Sequence, residues 1–348
     1  MIDACADGRL ARLHAWLAGI FGSDDFTVTV ASADASFRRY FRVTRGAETW
    51  IAMDAPPDKE DMAPYVRVAQ MLTDIGVNAP RILAHDPAAG FLLNCDLGAQ
   101  TYLAALQAGA DAGRLYGDAI AALIRIQTRG ARHAAGLPPY DAALLERELQ
   151  LFPEWFLGRH LGIELDDSER AALQDVFAVL VASACAQPAV FVHRDYHSRN
   201  LMVCAARNPG ILDFQDAVRG PLTYDLVSLL RDCYIAWPEA QVREWALEFR
   251  AAALAAGMDV LADEAAFLHA FDLMGVQRHL KAIGIFARLW HRDGKPGYLD
   301  DIPRTLGYVQ AVGARHAQLG FLARLIEERV WPALARMQPT GEAGSCAP

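Results

Sequence analysis

Apolar residues recur at helical spacing from 10 to 21, and the period then shortens to two over 26–31 and 37–43. A third short strand-like run follows at 50–53. A second helical pattern covers 60–75 on Met62, Val66, Ala69 and Leu72. Two more strand-like runs, 81–85 and 91–95, flank the turn Asp86-Pro87-Ala88-Ala89-Gly90. After Gly98 helical spacing dominates, near 100–108, 114–128, 141–158, 168–185, 225–235, 239–256, 263–290 and 303–336. Only short strand-like runs at 189–192, 201–204 and 210–212 interrupt it. The pattern predicts an α+β chain in two lobes: a β-rich N-lobe over 1–97 and a mainly helical C-lobe over 98–336. The polar, small-residue segment 337–348 is expected to be a flexible tail.

Composition narrows the function classes. With 348 residues, 53% hydrophobic and 22% charged, the chain can bury a core. A net charge of −9 repels a phosphate-rich polymer, so nucleic acid is not an expected partner. No apolar run reaches the length of a membrane span, and the start Met1-Ile2-Asp3-Ala4-Cys5 lacks the basic residues of a signal peptide. A cytoplasmic protein without a membrane partner is expected. The six cysteines form no CxxC pair, which fits free thiols better than a disulfide framework or a zinc site.

The short C-lobe strands frame the most informative stretch, Val192-His193-Arg194-Asp195-Tyr196-His197-Ser198-Arg199-Asn200, followed by Ile211-Leu212-Asp213-Phe214. Asp195, Asn200 and Asp213 stand at the spacing used for metal-assisted phosphoryl transfer. Asp195 can orient a hydroxyl and accept its proton. Asn200 and Asp213 offer the hard oxygens that suit Mg²⁺, whose charge offsets that of a transferred phosphoryl group. The competing reading makes the same residues loop acids and a turn asparagine.

On these residues the chain resembles the aminoglycoside phosphotransferase family of the protein-kinase-like fold, from about residue 25 to about 310. The pieces Ala33-Asp34-Ala35-Ser36-Phe37-Arg38-Arg39-Tyr40-Phe41-Arg42, Met53-Asp54-Ala55-Pro56-Pro57 and Gln277-Arg278-His279-Leu280-Lys281 are similar to those of bacterial anomeric kinases of N-acetylmuramate and N-acetylglucosamine used in cell-wall recycling. The resemblance implies ATP and Mg²⁺ as cofactors, a small amino sugar as partner and a sugar 1-phosphate as product. It implies that Asp195 is the catalytic base, that Asn200 and Asp213 hold the metal, and that His193 packs to hold their loop. It further implies a hairpin loop over the nucleotide phosphates, for which 31–36 with the Ser36 hydroxyl is the candidate; on its own sequence that loop reads as an ordinary polar hairpin turn. The connector 92–98, including Cys95, Asp96 and Leu97, would meet the adenine largely through its backbone.

The chain departs from that pattern on the phosphate side. The hairpin loop has no glycine, and of three lysines (Lys59, Lys281, Lys295) none lies in the strand at 50–54 that normally carries the phosphate-gripping one. Either an arginine such as Arg39 or Arg42 substitutes, or Lys59 reaches back. Strand alternation puts Arg39 on the face of Phe37, Phe41 and Val43; there it can hold phosphate oxygens or lie solvated on the lobe surface. Glu60, at the expected helix start, is read as interacting with its own helix N-terminus.

For the acceptor, Arg231 and Asp232 end the helix after the catalytic strands, and Asp232 can accept hydrogen bonds from sugar hydroxyls. Arg278 and Lys281 share a face off the apolar stripe of Leu273, Val276, Leu280, Ile283 and Leu289. With Gln277 nearby and Arg288, His291, Arg292 and Lys295 downstream, they suit a small anion such as the lactyl carboxylate of a muramate, or they form a solvated basic face. Two rivals stand beside the sugar kinase. One is a kinase of the same fold for an aminoglycoside, choline or homoserine; the other is a non-catalytic nucleotide-binding module, which the missing lysine motivates.

Overall fold

Helix α1 (Gly8–Phe21) carries Leu10, Leu13 and Leu17 on one face, and that face is buried. It covers one side of a five-stranded antiparallel sheet of order β1-β2-β3-β5-β4, built from β1 (Thr27–Ala33), β2 (Arg39–Arg45), β3 (Glu48–Asp54), β4 (Ile82–Asp86) and β5 (Phe91–Cys95). Phe41, Val43, Ala52, Phe91 and Leu93 meet the three leucines and Phe26 in one apolar cluster. In this computed structural model the described residues are 8–33, 37–261 and 263–337, so Ser36 and the expected tail from 338 on lie outside them.

The register assigns the sheet its two faces. Arg39 pairs with Asp54, Phe41 with Ala52, and Ala52 in turn with Leu93, so these residues share the α1 side. Tyr40 pairs with Met53, and Arg42 with Ile51, which in turn pairs with Asn94; these occupy the other side. There Asn94 bonds Tyr65 of α2 (Ala63–Ile75), whose ring lies 4.8 Å from that of Phe214.

Helix α2 starts three residues later than its apolar spacing predicts. Pro64 fits the first turn, where its missing N–H leaves no orphan, and the Asp61 carboxylate accepts from the Ala63 N–H at 2.9 Å. Glu60 therefore precedes the helix, and its carboxylate accepts the Phe37 N–H instead (3.0 Å). Helices α3 (Tyr102–Gln107), α4 (Ala112–Arg129) and α5 (Ala131–Ala134) follow, the first two capped by Thr101 and Asp111.

The chain divides into two units: Met1–Gly136 with His193–Ala217, and Leu137–Val192 with Val218–Pro348. The second unit opens with α6 (Ala142–Leu149), a π-helical stretch Phe152–His160, α7 (Asp167–Cys185) and β6 (Ala189–Val192). The chain then returns to the first unit for β7 (Leu201–Met202) and β8 (Gly210–Ile211). It continues in the second with β9 (Val218–Pro221), α8 (Tyr224–Leu230), α9 (Glu239–Ala255) and α10 (Glu264–Asp293). β9, absent from the strand-like runs of the sequence, pairs with β6. The helix expected over 141–158 breaks where Pro153 cannot donate, and the one expected over 303–336 divides into shorter segments. On α10, a Cβ at Gly284 would stand 2.4 Å from the Leu151 carbonyl carbon, so only glycine allows the helix so near that backbone. Cys95, Cys185, Cys204 and Cys233 are all unbridged.

Candidate active site

The β7–β8 ladder, Leu201↔Ile211 and Met202↔Gly210, brings the two halves of the motif together. A Cβ at Gly210 would stand 2.9 Å from Cys204 Sγ and 3.0 Å from Leu97 Cδ1, so a larger residue there would have to displace those side chains. The Asn200 side-chain amide donates to the Asp195 carbonyl (3.0 Å) and to Asp213 Oδ2 (3.2 Å). One amide thus ties both carboxylate-bearing residues. Gln215 Nε2 donates to Asp213 Oδ1 at 2.8 Å, and the Leu212 N–H to the Asn200 carbonyl at 2.9 Å. Arg194 and Asp213 have φ of 79° and 59°, in the left-handed region. Each such non-glycine conformation costs on the order of 1–3 kcal/mol, held here by the surrounding bonds.

His193 is wholly buried, and its Nδ1 accepts the Asp195 N–H (3.3 Å). Burial pushes its pKa down to about 4 against the opposing charge of Asp195, so the ring is neutral at pH 7 and serves as an acceptor. The loop is fastened further by Tyr196, whose hydroxyl donates to the Ala119 carbonyl (2.8 Å), and by the Leu103 N–H, which donates to the Ser198 carbonyl (3.0 Å).

The Asn200 N–H groups are directed at Asp195 and Asp213, which leaves its amide oxygen and the Asp213 carboxylate as hard donors fit for Mg²⁺. Among the described residues no group of three or more His, Cys, Asp or Glu is arranged to hold a metal ion by itself. A metal held here would complete its shell with water and phosphate oxygens, the coordination Mg²⁺ prefers.

The sheet places the expected nucleotide contacts differently from the sequence reading. Arg39, expected to face the phosphates, lies on the α1 side. It donates to Asp54 (Nε–Oδ2 3.0 Å), which Arg9 of α1 also grips (Nε–Oδ1 2.8 Å). Arg42 donates to both oxygens of Asp96 (2.7 and 3.2 Å) and to the Gly98 carbonyl (2.8 Å). Burial pushes the Asp96 carboxyl up, but Arg42 and the Gly98 N–H outweigh it and hold the group below its ordinary range. The Asp96 side chain therefore fastens the connector to β2. Cys95 ends β5 with its Sγ accepting the Arg81 N–H (3.1 Å), and the Leu97 carbonyl accepts the Cys204 thiol (3.4 Å). Lys59 is exposed beside Asp58. The residue that sequence reasoning missed is Arg38, whose Nη2 lies 3.8 Å from Asp213 Oδ1. Strand alternation held the signal: Arg38 has the parity of Tyr40 and Arg42, not of Arg39.

In the second unit, the acceptor candidates are drawn into the interior. Arg231 is buried between Asp272 and Glu239, both at 2.8 Å, with its guanidinium over the Phe271 ring. Burial raises the Asp272 pKa, yet Arg231 and His316 hold it below the usual range. Lys281 is buried beside Glu148 (3.1 Å) and donates to the Tyr224 hydroxyl (3.1 Å). Both were expected to meet a ligand, and both instead satisfy buried carboxylates, because a charge leaves water only with a partner. Asp232 is fully buried with Oδ1 accepting the Tyr234 N–H (3.0 Å), and Arg278 reaches Cys233 Sγ (3.5 Å). The Gln277 amide is enclosed, with no hydrogen-bond partner on either polar atom among the described residues. Downstream, Arg292 pairs with Asp293 (2.7 Å) and His291 with His160 (3.2 Å), and Arg288 and Lys295 also act on Asp293.

Residues 27–263 match the family model described as "Phosphotransferase enzyme family". The chain is 49% identical over 332 residues to the N-acetylmuramate/N-acetylglucosamine kinase of Pseudomonas putida, covering 92% of this chain and 97% of that one. It is 45% identical over 326 residues to the kinase of the same name from Neisseria meningitidis serogroup B, covering 92% and 96%. Among solved structures, the choline kinase LicA of Streptococcus pneumoniae aligns with a TM-score of 0.56 at 9% identity, over 86% of this chain and 98% of that one. ADP-bound aminoglycoside phosphotransferase APH(2'')-Ib aligns with a TM-score of 0.56 at 12% identity, over 86% and 97%. At such identities the likeness speaks for the fold, which is protein-kinase-like, with a sheet-rich N-terminal part and a mostly helical C-terminal region.

Proposed function

The chain belongs to the phosphotransferase enzyme family, and from that premise we propose that it is an ATP- and Mg²⁺-dependent sugar kinase. Its acceptor is the anomeric hydroxyl of N-acetylmuramate or N-acetylglucosamine, its product is the sugar 1-phosphate, and its place is peptidoglycan recycling in the cytoplasm. The single observation that carries the acceptor assignment is near-full-length identity of 45–49% to kinases of that name. Residues 1–97 form the nucleotide-covering lobe and 98–336 the lobe that takes the sugar.

The chemistry follows from the residues of the loop. The anomeric oxygen attacks the γ-phosphorus of ATP, ADP leaves, and the proton of the hydroxyl passes to the Asp195 carboxylate. An anomeric hydroxyl is more acidic than an ordinary alcohol, so a carboxylate is base enough. Asn200 and Asp213 would hold Mg²⁺, which would supply positive charge against the phosphates. Neutral His193, accepting from the Asp195 N–H, fixes the orientation of that residue. Asp232 and Arg278 are the acceptor contacts we retain. Arg231 and Lys281 support the acceptor lobe through Asp272 and Glu148.

The test is ADP release over a panel of N-acetylated hexosamines, aminoglycosides and choline, with Asp195→Ala as control. N-acetylated hexosamines are expected to turn over, to yield an acid-labile 1-phosphate seen by phosphorus NMR, and to be inert with the variant. Turnover of aminoglycosides or choline alone would overturn the acceptor. ATP-dependent thermal stabilisation without ADP release on any compound would leave a nucleotide-binding module.

A further inference from the structure

We propose that Arg38 is the cation that grips the phosphates of the nucleotide in place of the lysine that β3 lacks. This rests on the reading of the chain as an ATP-dependent kinase and names a contact within that site. Three observations carry it.

The first is position. Arg38 stands just before β2, where the hairpin expected to cover the phosphates ends, and its Nη2 lies 3.8 Å from Oδ1 of Asp213, the proposed metal ligand. A cation at that distance from a metal-binding carboxylate is within reach of the phosphate oxygens that the same metal would share.

The second is the face of the sheet. Arg38 has the parity of Tyr40 and Arg42, on the side where Asn94, Tyr65 and Phe214 meet. The β3 residues on that side are Thr49, Ile51 and Met53, none of them basic, so no cation comes from β3. Burial raises the Tyr65 hydroxyl pKa; Arg38 opposes that shift and Asp213 adds to it, so both charges act on one buried ring.

The third is the commitment of the other cations that sequence reasoning had offered. Arg39 is on the opposite face against Asp54, Arg42 makes a two-pronged bond to Asp96, and Lys59 is exposed beside Asp58. Arg38 itself is largely enclosed, with 12% of its side chain exposed, and faces the one carboxylate in this group proposed to exchange its partner for a metal. A guanidinium suits the exchange: it is always charged, and its planar fork can bond two phosphate oxygens at once.

The experiment measures binding of a non-hydrolysable ATP analogue and of AMP, both with Mg²⁺, by calorimetry on wild type, Arg38→Gln, Arg38→Met and Arg39→Gln. Apo thermal unfolding is recorded alongside. Removing charge-assisted bonds to phosphate is expected to weaken the analogue about tenfold or more in both Arg38 variants. AMP binding should change less than about twofold, and the KM for ATP should rise with the loss. Arg39→Gln is expected to lower the unfolding temperature and keep wild-type preference for the analogue. The proposal is overturned if either Arg38 variant keeps that preference, if both nucleotides weaken equally, or if Arg39→Gln loses it instead. Failure of both Arg38 variants to fold would also overturn it, since the arginine would then be a scaffold residue. Wild-type protein that binds no nucleotide would sink the kinase reading itself, a result distinguishable from all of these.

Discussion

The segment His193–Ala217 and helix α10 both carry polar residues at informative spacing, and they put them to opposite uses. In the loop, Asp195, Asn200 and Asp213 are only partly buried, and the Asn200 amide joins the other two from within the same segment. On α10, Gln277, Arg278, His279 and Lys281 are all buried, and Lys281 finds its partners, Glu148 and Tyr224, far away in sequence. Local spacing reports convergence where a short ladder folds one segment back on itself. It reports little where a helix is enclosed on all sides, because tertiary partners then decide what each charge does.

The sharpest way to break this contrast is to remove one group from each region and read both activity and stability. Asp195→Asn is expected to lose about 10²- to 10⁴-fold in kcat on the amino sugar, with little change in urea unfolding, because the amide keeps the shape of the carboxylate and the backbone bonds to His193 and Asn200 remain. Glu148→Gln should do the reverse. It leaves the Lys281 ammonium buried without its anion, a loss of roughly 3–5 kcal/mol in unfolding free energy. Glu148→Leu combined with Lys281→Met should recover most of that loss. If Glu148→Gln instead raised KM for the sugar at unchanged stability, Lys281 would be a ligand contact and the contrast would fail.

Protonation probes both regions at once. His193 in the loop has a folded pKa of about 4 and His279 on α10 of about 3, each lowered from 6.5 chiefly by burial. A depressed histidine favours the unfolded chain when protonated. The stability each neutral ring confers is therefore full above pH 6.5 and falls as the pH drops toward the folded pKa. For His193 the loss reaches roughly 3 kcal/mol at pH 4. In His193→Asn the slope of unfolding free energy between pH 6.5 and 4 should fall by about one proton, while the His279 contribution persists. An unchanged slope would mean that the ring is not buried neutral.

How much could be read in advance follows the same division. The ladder after Asn200 and before Asp213 is local, so the triad's convergence was written in its spacing. The order of strands and helices up to residue 95 was also legible, because alternation and helical spacing are short-range signals. The face of β2 was not. Alternation separates Arg38 from Arg39 but does not say which side α1 will cover, and Phe37, counted with the apolar parity, is 63% exposed. The roles of Arg231 and Lys281 were hidden because Asp272 and Glu148 lie 41 and 133 residues away in the chain.

The smallest expected effect belongs to Lys59, and it sharpens the assignment at the phosphates. Its ammonium is half exposed, with Asp58 at 3.9 Å and the Phe37 ring at 6.0 Å, contacts open to solvent and screened by salt. Lys59→Ala should shift unfolding free energy by less than about 0.5 kcal/mol and leave kcat and the KM for ATP within about twofold. Because Lys59 is the first unit's single lysine, this variant isolates the kinase-like route to phosphate binding from the arginine route. A tenfold rise in the KM for ATP would mean that Lys59 swings onto the phosphates when nucleotide binds. Arg38 would then share the task, and the loss of the β3 lysine would have been compensated from the segment before α2 as well as from the start of β2.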